Sequence, residues 1–303
     1  MGGTTNKMTR NSYVDTARGQ LHVRSAGTGD RVIVMLQILP FGSQLFEPLL
    51  PILAELGYRA VALDLMGYGR SDKRDGIWLI EDFAANIEEA LVRLNLKPTR
   101  LLAGHFSSMV ATEIAKRRKG EIKALVIDGP PLWSAQTRES MRTDPAMAGV
   151  PIREDGEHAI EYWRRTFGML RRLNPALEVS ATTDRRIRDC FISFLETSYD
   201  PGVTEAFASY DLTANLPDIA VPTLVLGAEN DSQRAHFETA QGLIPNSRGH
   251  LFPGTHPMHD LGNPERARDY AGIVHEFLED VTAGGETPSD HMPAYALIPP
   301  RRT

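Results

Sequence analysis

The stretch Arg100-Leu-Leu-Ala-Gly-His-Phe-Ser-Ser-Met-Val-Ala-Thr-Glu-Ile114 decides how the chain folds. Residues 101–104 form a short apolar run, as expected of a strand covered on both faces, and a helical pattern opens near Ser107. Only a very tight turn fits between them. This strand–turn–helix order goes with the spacing G-x-S-x-G, which lifts one side chain clear of a sheet. Gly104 and His105 begin the turn, Phe106 stands where the serine oxygen would be, and Ser108 replaces the closing glycine. A benzyl group cannot attack a carbonyl. The stretch therefore predicts an architecture and withholds its usual nucleophile.

The pattern repeats to either side. Residues 31–36 (Arg-Val-Ile-Val-Met-Leu) read as a buried strand, followed by the loop Gln37-Ile-Leu-Pro-Phe-Gly42 and a helix from about Ser43 with Leu45, Leu49, Ile52 and Leu56 on one face. Residues 59–65 form the next strand and run into Met66-Gly-Tyr-Gly-Arg-Ser-Asp72, before a helix marked by Phe83, Ile87, Leu91 and Leu94. Residues 124–128 and 222–227 read as further strands, 233–243 as a helix and 248–252 as a strand. The last helix opens at Asn263-Pro-Glu265, an N-cap with proline in the first turn. Residues 13–16 and 20–25 flank a hairpin turn. Strands alternating with helices predict an α/β fold with a doubly wound, mostly parallel sheet. Strand signals stop between residues 132 and 216, where Ile160, Trp163, Phe167 and Leu170, then Ile187, Phe191 and Phe194, fall at helical spacing. The expected organisation is a core of residues 13–131 and 217–281, a helical lid of 132–216, and an arm and tail of 1–12 and 282–303.

The chain has 303 residues, 42% of them hydrophobic and 24% charged, with a formal net charge of −6 and no basic stripe. This argues against nucleic acid or an anionic membrane as partner. One cysteine, Cys190, cannot pair within the chain. With no apolar signal core near Met1, it points to a reducing, cytoplasmic setting. Cys190 lies in an apolar helical pattern and reads as a buried small hydrophobe.

On these residues the chain resembles the α/β-hydrolase superfamily from about residue 20 to 281. It looks nearest to the lid-bearing esterases, lactonases and carbon–carbon bond hydrolases. Asp64-Leu-Met-Gly-Tyr-Gly-Arg-Ser-Asp72 matches that branch's D-x-x-G-x-G-x-S-D loop. The resemblance implies a nucleophile at position 106, a hole donor near Gln37-Ile38, an acid at Asp231 and a histidine near Pro257, which His256 and His259 flank. Phe106 is expected to be a cavity wall. His256 is the best acid–base candidate if its imidazole reaches Asp231. Ser107 is a weaker nucleophile candidate, and His105 reads as strand-end packing. Gln37, Ile38, Trp133, Trp163, Phe167 and His259 are candidate substrate contacts, and Asp64 and Asp72 belong to a structural turn network. No cofactor is expected, nor a metal, since His256 and His259 lack a third spaced ligand. The leading expectation is an enzyme acting on an apolar, cyclic small molecule without a seryl intermediate, by cyclisation, rearrangement, elimination or cofactor-free chemistry, as in natural-product biosynthesis. A hydrolase with a rewired Ser107, His256 and Asp231 set and a silent ligand-binding protein are the alternatives. A homodimer through the lid is compatible with the pattern.

Overall fold

Eight strands form one sheet: β1 (Arg10–Thr16), β2 (Gly19–Ala26), β3 (Arg31–Leu36), β4 (Tyr58–Leu63), β5 (Thr99–Gly104), β6 (Ile122–Asp128), β7 (Thr223–Ala228) and β8 (Ser247–Phe252). Their order is β1-β2-β4-β3-β5-β6-β7-β8. The β1–β2 and β2–β4 pairs are antiparallel, and the pairs from β4 to β8 are parallel. The computed structural model describes residues 8–97, 99–144, 149–181, 183–197, 201–259 and 263–283. The tail from residue 284 onward lies outside these.

Parallel strands need crossovers, and the helices supply them. After β3 the chain passes through α1 (Leu49–Glu55) to β4 on one side. After β4 it passes through α2 (Ile80–Arg93) to β5 on the other side of β3. The winding direction therefore reverses between β3 and β5. Ligands of open α/β sheets bind beyond the carboxyl ends of strands at such a point, and here that is where residues 37–42 and His105 lie. Helix α3 (Phe106–Arg117) follows β5 directly. Between β6 and β7 the chain builds a helical insert: α4 (Ala135–Met141), α5 (Glu157–Leu173), α6 (Asp184–Thr197), α7 (Pro201–Ser209) and α8 (Leu212–Asn215). Helices α9 (Phe237–Leu243) and α10 (Pro264–Thr282) complete the fold, with Asn263 capping α10 through a bond from the Glu265 amide. Two apolar clusters are distinguished by their residues. One gathers Phe83, Ile87 and Val110 from α2 and α3, and the other Leu49, Val274 and Phe277 from α1 and α10. Cys190 is buried in the second.

Several boundaries differ from the sequence reading. Strand β1 begins at Arg10, inside the expected arm, because residues 10–16 pair in full register with 19–25. The helix expected from Ser43 is a 3-10 turn, Ser43–Phe46, and then α1, which begins after Pro48. Proline opens a helix readily but has no N–H with which to continue one. The helix expected over 233–243 likewise starts with a 3-10 turn, Arg234–His236.

The loop after β4 wraps a buried carboxylate. Asp64 is 1% exposed. It accepts bonds from the Ser43 amide, the Arg70 amide at 3.1 Å and His22 Nδ1 at 2.8 Å. Gly69, at φ +54°, is required there, since a Cβ would meet the Asp64 carboxyl at 2.4 Å. These bonds tie β2, the start of the 43–46 turn and the 64–72 loop together. Removing one partner of such a buried network leaves the others unpaired, at a cost of about 3–5 kcal/mol. Asp64→Ala is expected to lower unfolding stability by that amount in urea titrations, with Asp64→Asn, which keeps one acceptor, costing less.

Candidate active site

The turn after β5 is a nucleophile-elbow turn, and its vertex is His105. His105 has φ 48° and ψ −117°, and α3 begins at the next residue, Phe106. Position 106, expected at the vertex, is instead the first residue of the helix. A non-glycine residue held in this region costs about 1–3 kcal/mol, so its neighbours must hold it there. The His105 amide donates to the Asp128 carbonyl at 2.8 Å, and the Ser108 amide donates to the His105 carbonyl at 3.0 Å. Ser108 Oγ donates to the same carbonyl. Ser107 Oγ donates to the Gln37 carbonyl, joining α3 to the end of β3.

The imidazole of His105 reaches across β6 to the loop after β7. Nε2 lies 3.1 Å from Asp231 Oδ2. Gly129, at φ +54°, makes the passage possible, since a Cβ there would lie 2.7 Å from Nε2. Asp231 Oδ1 accepts from the Gln233 amide at 2.6 Å. Burial opposes charge on Asp231, but His105 and that amide outweigh it and hold the carboxyl well below its ordinary range. Burial likewise pulls His105 down, and the Asp231 and Asp128 carboxylates more than offset it, so its pKa is raised. An ionised carboxylate only accepts, so Nε2 carries the proton. Nδ1 is then the free nitrogen of the neutral ring, with no hydrogen-bond partner among the described residues.

His256 is placed differently from the expectation. Its Nε2 is 2.9 and 2.8 Å from the two oxygens of Asp128, not of Asp231, and its Nδ1 accepts from the Met258 amide at 3.1 Å. Tyr270 donates to Asp128 Oδ2 at 2.8 Å. Both ring nitrogens of His256 are therefore engaged within the fold, leaving neither a lone pair nor a proton for a substrate. The set of Ser107, His256 and Asp231 is not assembled: each of the three bonds a different partner. His259 lies between the two pairs, with ring centroids 6.1 Å from His105 and 5.1 Å from His256. Burial, then repulsion from His256 and His105, pushes its pKa down to about 3. Its two nitrogens are buried without a partner among the described residues.

A cavity of about 490 Å³ opens over this vertex, walled by His105, His259, Ile38, Phe106, Trp133 and Phe207. Ile38 packs against the elbow, where a Cβ on Gly104 would meet it at 2.7 Å. The Phe106 ring stands edge-on to Phe83 and Phe207. Three expected contacts lie elsewhere. Gln37 is fully buried, with Oε1 accepting from the Leu65 amide at 2.8 Å, because the β3–β4 junction needs an acceptor there. Trp163 and Phe167 stack on each other along α5, and Trp163 is 38% exposed. Among the described residues no cluster of His, Cys, Asp and Glu is arranged to hold a metal ion, and no helix is long and apolar enough to cross a membrane. His105, read as strand-end packing, is the imidazole that the structure pairs with Asp231 in the cavity wall. Moving the five-residue frame back by one gives Ala103-Gly-His-Phe-Ser107, with a small residue at each end and His105 at the centre.

A family model described as the alpha/beta hydrolase family matches residues 39–273, and the chain belongs to that family. A non-heme haloperoxidase of Rhodococcus erythropolis is 26% identical over 249 residues, spanning 78% of this chain and 88% of that protein. The probable lysophospholipase BODYGUARD 1 of Arabidopsis thaliana is 32% identical over 83 residues, 27% of this chain, and the match spans only 18% of that protein. Among solved structures, a bromoperoxidase from Bacillus anthracis has a TM-score of 0.71 at 19% identity, covering 90% of this chain and all of that one. An enol-lactonase from Burkholderia xenovorans has a TM-score of 0.69 at 19% identity, covering 88% and 100%. The two structures establish likeness of fold.

Two outcomes follow from the imidazoles. The folded-state pKa of His259 lies below the unfolded value of 6.5, so stability falls as pH drops below about 6.5, where only the unfolded chain takes up the proton. His236 and His250, pushed down by burial, act in the same sense. His105, raised above 6.5, is protonated in both states in this window and adds no slope. Urea unfolding is expected to show a loss of about 2–3 kcal/mol from His259 between about pH 6.5 and 4.5, and His259→Leu should remove that part. Separately, Gly129→Ala should drive His105 off Asp231. NMR titration of the ring protons should then give a lower His105 midpoint than in the parent protein.

Proposed function

We propose that this member of the family is an enzyme acting on apolar small molecules through His105, without a seryl intermediate. The observation that carries this reading is the imidazole at the strained vertex, bonded to a buried carboxylate and forming part of an apolar cavity wall. Asp231 fixes the tautomer and stabilises the imidazolium, so Nδ1 is prepared to take a proton from a bound molecule and return it. Such transfer contributes about 10²–10⁴-fold, and orientation in the cavity adds about 7–11 kcal/mol. Cyclisation, rearrangement and elimination need no more than this. The wall of rings supports a flat or cyclic substrate, and neutral His259 offers a second imidazole beside the first.

A second reading is hydrolysis by water that His105 activates. It is favoured by the Phe106 amide, which opens α3 next to the vertex and so has no carbonyl within the helix to bond. In this fold an oxyanion hole draws on the amide following the vertex residue. The relatives' names, a haloperoxidase and an enol-lactonase among them, agree with small-molecule chemistry at this site.

The test is a panel of hydrophobic lactones, aryl esters and hydroxyketones incubated with the protein and followed by mass spectrometry. Turnover should resist a fluorophosphonate probe and fall about 10²–10⁴-fold in His105→Asn. Stoichiometric labelling of Ser107 or Ser108, or undiminished turnover in His105→Asn, would overturn the proposal. Water-derived oxygen-18 in the product separates the hydrolytic reading from the others.

A further inference from the structure

The cavity wall is graded from inside to outside. Ile38, Phe41, Phe106, Phe207 and His259 are buried, whereas Arg172, Asn230 and Ser232 are exposed. The exposed members mark the rim, and the buried ones mark an apolar floor beside His105. Among the described residues of the lining, Arg172 is the only permanently charged one, and none is Asp or Glu. Arg172 has no hydrogen-bond or ion-pair partner among the described residues. It sits in the last turn of α5, one turn after Gly168. Neighbouring Arg171 is engaged otherwise, 5.5 Å over the Phe167 ring.

From this grading we infer that the substrates are apolar small molecules bearing a carboxylate, and that Arg172 receives the carboxylate at the rim while the apolar body reaches His105. The inference rests on the reading of the His105 cavity as the reactive site. A guanidinium presents paired donors that match a carboxylate. Held there, the anion fixes how far the body enters and which carbon stands beside Nδ1. Arg172 is then a specificity-determining residue that anchors one end of the molecule. A cation in the last turn of a helix is also favoured by the helix dipole, but that interaction cannot distinguish an acid from its amide.

The test is calorimetric binding of 1-naphthylacetate and of the neutral 1-naphthylacetamide to the full chain. Wild type, Arg172→Gln, Arg172→Lys and His105→Asn are compared, with circular dichroism confirming that each is folded. The wild type should bind the acid at least about tenfold more tightly than the amide. Arg172→Gln should bring the two within about twofold of each other. Arg172→Lys should keep an intermediate preference, having the charge without the fork. His105→Asn should keep the full preference, and so should the wild type at about pH 9, where arginine is still charged and an ordinary imidazole is not. Equal affinities in the wild type overturn the inference. So does failure of both probes to bind at millimolar concentration, or a preference that survives Arg172→Gln. A preference lost in His105→Asn would place the anion on the imidazolium and also overturn it. The catalytic reading fails separately, when His105→Asn retains turnover whatever it does to binding.

Discussion

The structure depends on one strained residue and the bond that occupies it. A side chain at positive φ is lifted off the sheet, and at His105 the lifted group is a ring long enough to reach the loop after β7. Strain of about 1–3 kcal/mol is offset by a charge-assisted bond to Asp231, worth roughly 1.5–3 kcal/mol, and by the bonds around the turn. Each of these draws on a different part of the fold: Asp128 at the end of β6, Gln37 at the end of β3, Gly129 in the turn after β6. The vertex is thus where the ends of β3, β5, β6 and β7 are brought into register.

The same crowding decides how charge is shared. Two carboxylates, Asp128 and Asp231, are buried near three imidazoles. They do not share the imidazoles evenly. Asp128 is satisfied by His256 and by the Tyr270 hydroxyl, which forms a closed structural group behind the cavity. Asp231 is satisfied by His105 and a backbone amide. His259 obtains neither carboxylate, and burial keeps it neutral. A closed pair and an open pair therefore sit side by side, and only the open pair borders the cavity. This explains why sequence proximity to the last strand was a poor guide to which histidine pairs with Asp231 beside the cavity.

Much of the fold was legible because strand and helix periodicities are local. Residues 31–36 and the cap at Asn263 read directly from side-chain order. The family pattern at 64–72 likewise marks the Asp64 turn. The vertex was not legible in the same way. Whether the strand ends at Gly104 or the helix starts at Phe106 or Ser107 differs by one residue, and a single step moves the elbow from one side chain to the next. Composition could not settle it, since both frames place small residues at their ends, Ala103 with Ser107 and Gly104 with Ser108. What settles it is tertiary: Asp231 stands where the ring of residue 105 meets it at 3.1 Å. Gln37 was misplaced for a related reason. A polar side chain after a buried strand reads as a pocket group, but the Leu65 amide of the neighbouring loop claims it.

Putting the imidazole on the vertex shortens the usual arrangement. In the resemblance that the sequence carries, an acid steadies a base, and the base serves a hydroxyl on the elbow. Here the acid steadies a base that is itself on the elbow. In the proposed chemistry proton transfer needs no intervening oxygen, and the volume that a separate histidine would occupy must be filled. His259 fills it, neutral and without hydrogen bonds among the described residues, and the rings of Phe106 and Phe207 close the remaining wall. Low polarity around a single prepared nitrogen strengthens its interaction with any charge that develops on a bound molecule. The apolar floor and the imidazole vertex are therefore two aspects of one arrangement: the carboxylate-bonded ring of His105 and the neutral ring of His259 stand in a wall otherwise built mainly of apolar side chains.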